Sequence, residues 1–228
     1  MKKTIAFLSL ALMISCHKHQ EIRKITSLKI DTPAIVKKDI IVQDSIFEQE
    51  IICDSIYQNK NYKIVLKHFS WEANYEESDR NTVFIFSKKI NGKYKELLRD
   101  SIESHVGAYE FRDFNGDKIK DILIQNISDV RSNWTYYLYL VDLKNDKLTK
   151  VKNFNQIKNP RYLSQYNLID NEVMSGRNWT SFYQIKKDTI YDFGYVIYNG
   201  MDDDGNIVDF EKEYSKILSK VLKNKNYK

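Results

Sequence analysis

The chain reads as a series of short runs in which apolar and polar positions alternate, broken by polar turns. Over residues 62–69, Ile64 and Leu66 alternate with Lys63 and Lys67, the period of a half-buried strand. Residues 83–86 form a continuous apolar run, and residues 108–113 place Tyr109 and Phe111 on one face. Three segments then share one plan. Thr82-Val83-Phe84-Ile85-Phe86 leads through Asn91-Gly92-Lys93 to Tyr94; Thr135-Tyr136-Tyr137-Leu138-Tyr139 leads through Asn145-Asp146-Lys147 to Leu148; Thr180-Ser181-Phe182-Tyr183 leads through Lys187-Asp188-Thr189 to Ile190. Each is a hairpin with a polar turn. Their threonines are 53 and 45 residues apart, near the about 40–50 residues of one propeller blade. The last two copies also share Asn133-Trp134-Thr135 and Asn178-Trp179-Thr180.

The period changes at the end of the chain. Phe210, Tyr214, Ile217, Leu218, Val221 and Leu222 form a stripe at helical spacing, with Asp209 placed to cap and Lys212, Lys216, Lys220 and Lys223 off the stripe. A helix over 209–224 is expected to pack on a sheet or seal its edge. The predicted fold is therefore mainly β: repeated antiparallel hairpins, propeller-like or as stacked sheets, with one C-terminal helix. Residues 39–228 form a single domain on this reading.

The beginning of the chain has another character. Met1-Lys2-Lys3 precedes an apolar run from Ile5 to Ile14 and then Ser15-Cys16, the layout of a secretory signal. The run is too short to span a bilayer as a helix. Leu12-Met13-Ile14-Ser15-Cys16 looks like a bacterial lipobox with Met13 where Leu is usual, which makes residues 1–15 the signal and Cys16 the lipidated first residue. A cleaved signal with an incidental cysteine is the plainer alternative. Residues 17–38 are mostly polar without a sustained period, as in a tether. Cleavage would remove Lys2 and Lys3 and lower the formal net charge from +5 to +3. The expected location is the bacterial outer membrane, lipid-anchored and facing the periplasm.

Composition supports a folded, exported protein. Hydrophobic residues make up 42% and charged residues 29%, which excludes overall disorder, and 16 Tyr with 11 Phe favour strands. The basic residues are scattered singly beside strands and trace no nucleic-acid footprint. Of two cysteines, Cys16 is assigned to lipid and Cys53 follows Ile51-Ile52 as a small buried hydrophobe, so no disulfide is expected.

The densest chemistry lies in Asp113-Phe114-Asn115-Gly116-Asp117-Lys118-Ile119-Lys120-Asp121. Asp113, Asn115, Asp117 and Asp121 occupy relative positions 1, 3, 5 and 9 of a loop, with the Ile119 carbonyl at position 7. A hard divalent cation takes such oxygens. Lys118 replaces the Gly of an EF-hand and Ile124 its bidentate Glu, and Ile122-Leu123-Ile124 continues as a strand, so the EF-hand is rejected. Two readings stand: a β-turn-β corner holding calcium, or the same corner with its aspartates bonded to local backbone.

No set for catalysis stands out. His17 and His19 fall in the tether, while His68 and His105 lie far apart without a nucleophile in a recognised spacing. Trp71, Tyr75, Glu76 and Glu77 could serve a carbohydrate or peptidoglycan module, or a glycosidase, but two acids in one loop rarely flank a glycosidic bond. Trp71, Tyr75, Trp134 and Trp179, with Arg131 and Arg177 beside the last two tryptophans, have the chemistry of interface anchors, with core tryptophan as the plainer alternative. Asp202-Asp203-Asp204-Gly205-Asn206 reads as a solvated turn. Asp44-Ser45-Ile46, Asp54-Ser55-Ile56, Asp100-Ser101-Ile102 and Asp188-Thr189-Ile190 resemble the acceptor motif of O-glycosylation in exported Bacteroidetes proteins.

Residues 109–193 resemble a family of exported bacterial proteins related to the periplasmic immunity lipoproteins that protect Xanthomonas from a peptidoglycan-hydrolase effector of its type IV secretion system. The elements that carry the resemblance are Glu110-Phe111-Arg112-Asp113-Phe114-Asn115-Gly116-Asp117 with Asp121-Ile122-Leu123-Ile124, then Tyr136-Tyr137-Leu138-Tyr139, then Phe154-Asn155-Gln156-Ile157-Lys158-Asn159-Pro160, then Tyr183. The resemblance implies an all-β fold, an FG-GAP-like loop that binds calcium through Asp113, Asn115, Asp117 and Asp121, and a non-catalytic protein that binds and blocks a lytic enzyme. Lys118 stands where the family usually has Gly.

Overall fold

A computed structural model describes residues 47–69, 80–104, 107–201 and 205–225. The expected signal, Cys16, the tether, Trp71, Tyr75, Glu76, Glu77, His105 and residues 202–204 lie outside the described residues.

The strands come in three successive antiparallel meanders. The first sheet runs β1 (Phe47–Ile52), β2 (Tyr62–His68), β3 (Thr82–Ile90) and β4 (Lys93–Ile102), paired in chain order. The second repeats the plan with β5 (Tyr109–Arg112), β6 (Asp121–Ser128), β7 (Trp134–Asp142) and β8 (Lys147–Lys150). The third uses β9 (Pro160–Leu163), β10 (Leu168–Asn171), β12 (Phe182–Lys186) and β13 (Thr189–Asp192), in the order β13-β12-β10-β9. Between β10 and β12, strand β11 (Trp179–Thr180) leaves the third sheet to pair with β14 (Ile197–Tyr198). A small ribbon of β15 (Gly200–Met201) and β16 (Ile207–Val208) precedes the helix α1 (Phe210–Lys225).

The three hairpins read from the sequence are β3–β4, β7–β8 and β12–β13, the third and fourth strands of each sheet. Their turns each carry a residue in the left-handed region: Asn91 at φ 49°, Asp146 at 51° and Lys187 at 59°. The repeat is thus a structural one, although Lys187 carries a strain there that Asn tolerates better.

Alternation along the strands decides how the sheets stack. Tyr62, Ile64, Leu66, Phe84 and Phe86 on one face of the first sheet meet Ile122, Ile124, Tyr139 and Val141 of the second in one buried cluster. The intervening Leu123 and Leu138 point the other way and join Phe114, Phe154, Ile169 and Tyr183 between the second and third sheets. Leu168 and Phe182, on the far face of the third sheet, pack against Ile217 and Val221 of the helix. The second sheet is buried on both faces, which is why β6 reads as the near-continuous apolar run Ile122-Leu123-Ile124. Among the described residues the result is an ordered stack of three four-stranded sheets finished by a helix, and no closed barrel or propeller is formed. At the first end, the outer face of the first sheet carries the ion pairs Lys63–Glu50 and Lys67–Glu48 beside the buried Val65 and Ile85.

The helix begins one residue after its cap, as its stripe requires. The Asp209 carboxylate accepts the backbone N–H of Lys212 at 3.2 Å, satisfying one of the unpaired donors of the first turn. No helix among the described residues is long and apolar enough to cross a membrane.

Candidate functional site

In an antiparallel meander the first-to-second and third-to-fourth connections lie at one end and the second-to-third connection at the other. The aspartate loop joins β5 to β6 and lies at the first end; the loops bearing Arg131, Trp134, Arg177 and Trp179 lie at the second. Eight residues of β6 separate the two ends of the second sheet by about 25 Å.

Within the aspartate loop the side chains first of all organise the turn. Asp113 accepts the N–H groups of Asn115 at 3.1 Å, Gly116 at 2.7 Å and Lys118 at 2.9 Å. Asn115 Oδ1 accepts from Asp117 N, its Nδ2 donates to Asp117 Oδ2, and Asp117 Oδ1 accepts from Ile119 N. Lys118 sits at φ 67° and Gly116 at φ 82°. A Cβ on Gly116 would also stand 2.7 Å from the Tyr162 hydroxyl, so any other residue there would meet backbone strain and displace that hydroxyl.

Asp121 behaves differently from the other three. It is fully buried; Oδ2 accepts from Phe114 N at 2.8 Å and Oδ1 from Val141 N at 3.1 Å, tying the loop to β7. Burial pushes its carboxyl up to about 7 against the pull of these two N–H groups, with Asp117 and Asp113 adding a smaller upward push. The four side chains predicted as ligands are therefore split: Asp113, Asn115 and Asp117 line the exposed turn, whereas Asp121 faces inward. Among the described residues no three His, Cys, Asp or Glu groups are disposed as a ready metal site. A hard cation on the turn would draw on Asp113, Asn115, Asp117 and the Ile119 carbonyl, completed by water.

At the opposite end the loops are held rigidly. Asp129 closes the turn after β6: its carboxylate accepts from Arg131 N at 2.9 Å, from Asn133 N at 3.1 Å and from Lys158 Nζ at 3.0 Å. The Asn133 side chain, with the lysine and the turn amides, holds this carboxyl well below the usual carboxylate range. Asn133 is buried and reaches the adjacent sheet, donating to Met174 O at 2.7 Å and accepting from Met174 N at 2.8 Å. Asn159 grips the start of β7, exchanging bonds with Trp134 N and O. Asn178 repeats the local role, accepting from Ser175 N at 3.0 Å. The two Asn-Trp-Thr tripeptides thus have a structural meaning: the Asn ties off the preceding loop, and Thr135 and Thr180 are buried.

These ties hold out a set of side chains of mixed chemistry. Val130 at the tip of the β6–β7 turn is completely exposed, with Ile127 and Trp134 each about a third exposed beside it. Arg131 is exposed on the same turn. Arg177 lies over the Tyr198 ring at 3.6 Å from its centroid, and Trp179 is half-buried opposite Tyr198 in the β11–β14 pair. Neither tryptophan is a core residue. Val130 was not among the residues singled out from sequence; its only signal is an apolar residue inside the polar run Ser128-Asp129-Val130-Arg131-Ser132.

The remaining titratable groups have structural settings. Burial pushes the Cys53 thiol up to about 11, which leaves it protonated. Burial also lowers His68, whose Nδ1 meets the Thr82 hydroxyl at 2.8 Å. Of the suggested glycosylation positions, Ser45 lies outside the described residues, Ser55 and Ser101 are exposed and Thr189 is half-buried.

No family model, no curated protein and no solved structure matches the chain.

Proposed function

We propose that this protein is a non-catalytic recognition protein of the bacterial envelope, lipid-anchored through Cys16, that binds a protein partner through the loop end carrying Val130, Arg131, Trp134 and Arg177. One observation carries the reading. A fully exposed valine stands at the tip of a turn fixed by Asp129 and bolted by Asn133 to the next sheet. An apolar tip beside aromatic and guanidinium groups is poor for solubility and good for docking, and the pre-formed turn lowers the ordering cost of binding. The inhibitor or immunity role against a peptidoglycan hydrolase is the specific form that the sequence resemblance suggests.

The test is affinity capture from detergent-solubilised envelope with the lipidated protein, followed by assay of the captured protein for wall hydrolysis and its inhibition. Capture of one stoichiometric partner is expected, lost with Val130→Asp and kept with Asp117→Ala at the far end. Equal capture by wild type and Val130→Asp would sink the surface assignment. Binding to purified sacculi that disappears with Trp71→Ala would favour a carbohydrate module instead. Cys16→Ala should abolish incorporation of labelled palmitate and release the protein from the membrane fraction.

Calcium is a separate part of the proposal. Its binding to the turn would raise the melting temperature by mass action, and Asp117→Ala would remove the rise. An unchanged melting curve at millimolar calcium would leave the loop as a turn held by its own backbone.

A further inference from the structure

A cavity of about 200 Å³ opens beside Trp179, where the β11–β14 pair meets the first turn of α1; its walls include Arg161, Glu172, Asn178, Trp179, Phe210 and Glu211. It is smaller than the roughly 300–1,000 Å³ of sites for whole cofactors and drug-sized ligands, so it suits a side chain.

The charges in its wall do not cancel. Arg161 is already neutralised: Nε and a terminal nitrogen bond both oxygens of the fully buried Asp170 at 2.9 and 2.7 Å, and the Tyr214 hydroxyl donates to the same carboxylate at 2.7 Å. The two hydrogen bonds and the charge of Asp170 raise the arginine above its ordinary value, so it stays a cation fixed in place. Glu172 and Glu211 are exposed, and neither carboxylate has an ion pair or hydrogen bond with a described residue. The positive end of α1 would oppose a cation here, but Asp209 caps it and Glu211 and Glu213 occupy its first turn. Two unmatched carboxylates beside the indole of Trp179 and the ring of Phe210 make an environment for a cation on an apolar stem.

We infer that this cavity receives a lysine or arginine side chain of the partner protein, its alkyl stem against Trp179 and Phe210 and its charge between Glu172 and Glu211. This rests on the reading of the neighbouring loop end as a protein-docking surface, and it adds the charge that the partner must present there.

The probe is Nα-acetyl-L-lysine N-methylamide, titrated into the full protein while the three tryptophan indole N–H resonances are followed by NMR. A saturable shift of the Trp179 resonance is expected, with Trp134 unmoved. The norleucine analogue, which has the stem without the charge, should bind at least about tenfold more weakly, as should lysine to the Glu172→Gln/Glu211→Gln variant. That variant keeps Arg161, Asp170 and the packing, so an unchanged Trp134 resonance reports an intact fold. No saturable shift, equal binding of the norleucine analogue, or undiminished binding by the double variant would each overturn the assignment. Because the probe needs no partner, these results stand apart from the Val130→Asp capture result.

Discussion

At the scale of single residues, the loops of this protein are built by short polar side chains that replace missing backbone partners. Asp113, Asp129, Asp142 and Asn133 each accept or donate several bonds within a few residues of themselves. This is the general use of Asx side chains in turns. Two lysines depart from this, Lys187 at φ 59° and Lys118, which adopts φ 67° with a long side chain in the middle of the aspartate loop. An L-residue with a Cβ costs roughly 1 kcal/mol in that region and glycine nearly nothing. Lys118→Gly keeps the N–H that Asp113 accepts and is expected to stabilise the protein by up to about 1 kcal/mol, less the extra freedom glycine gives the unfolded chain. Urea denaturation measures the difference. A loss of stability would mean that the lysine side chain itself contributes more than its backbone strain takes away.

At the scale of elements, what could be read from sequence was whatever repeats within a few residues. The β3–β4, β7–β8 and β12–β13 hairpins announced themselves through a threonine, an aromatic run and an Asn, Asp or Lys turn, because strand period and turn chemistry are local properties. The helix announced itself through its stripe and Asp209. The short strands β9, β11 and β14 did not, since two to four residues hold too little pattern. The contact of Arg161 with Asp170 and Tyr214 was equally hidden, because it joins residues from three elements. One trace of it is visible afterwards: Asp170 follows directly on the apolar pair Leu168-Ile169, and a charge in a buried strand calls for a partner. Likewise the linear spacing sets Asp121 beside Asp113, Asn115 and Asp117 but does not show that it begins a buried strand, where its carboxylate accepts from Phe114 N and Val141 N. The helix offers the clearest test of how much one element matters. Val221 is fully buried between α1 and the third sheet, so Val221→Asp places an unpaired charge against Leu168 and Phe182. A loss of about 3 kcal/mol or more is expected, against about 1–3 kcal/mol for Val221→Ala. Denaturation curves that agree for the two variants would mean that the helix detaches without cost to the sheets.

At the scale of the whole molecule, the sheets are joined twice, by apolar faces along their length and by polar clasps at their ends. Between the first and second sheets one clasp is Asp146 in the β7–β8 turn, which accepts from the Tyr62 hydroxyl and pairs with Lys88 Nζ at 2.7 Å. The Lys88 hydrogen bond, and then that of Tyr62, lowers the Asp146 carboxyl below its ordinary value. A carboxylate lowered in the folded state contributes stability that is complete above the unfolded value, about 3.9, and that disappears as pH falls through the folded value. Asp188, lowered by Lys152 in the equivalent turn of the third sheet, follows the same sign. Both sites are solvent-accessible, so salt screens much of the effect. Asp146→Asn is therefore expected to be less stable than wild type near pH 7, with the gap closing as pH is lowered from about 4 towards 2, where the wild-type carboxyl is protonated. Urea midpoints at neutral and acid pH give the gap directly, and added salt should narrow it at neutral pH alone. Amide exchange in β3 and β7 then locates the change, since these strands meet across the clasped interface. A gap that stays constant through the acid range would show that the amide loses a shape fit with Tyr62 and no charge, leaving Asp100, which meets Lys150 Nζ and the Tyr139 hydroxyl, as the charged tie between the two sheets.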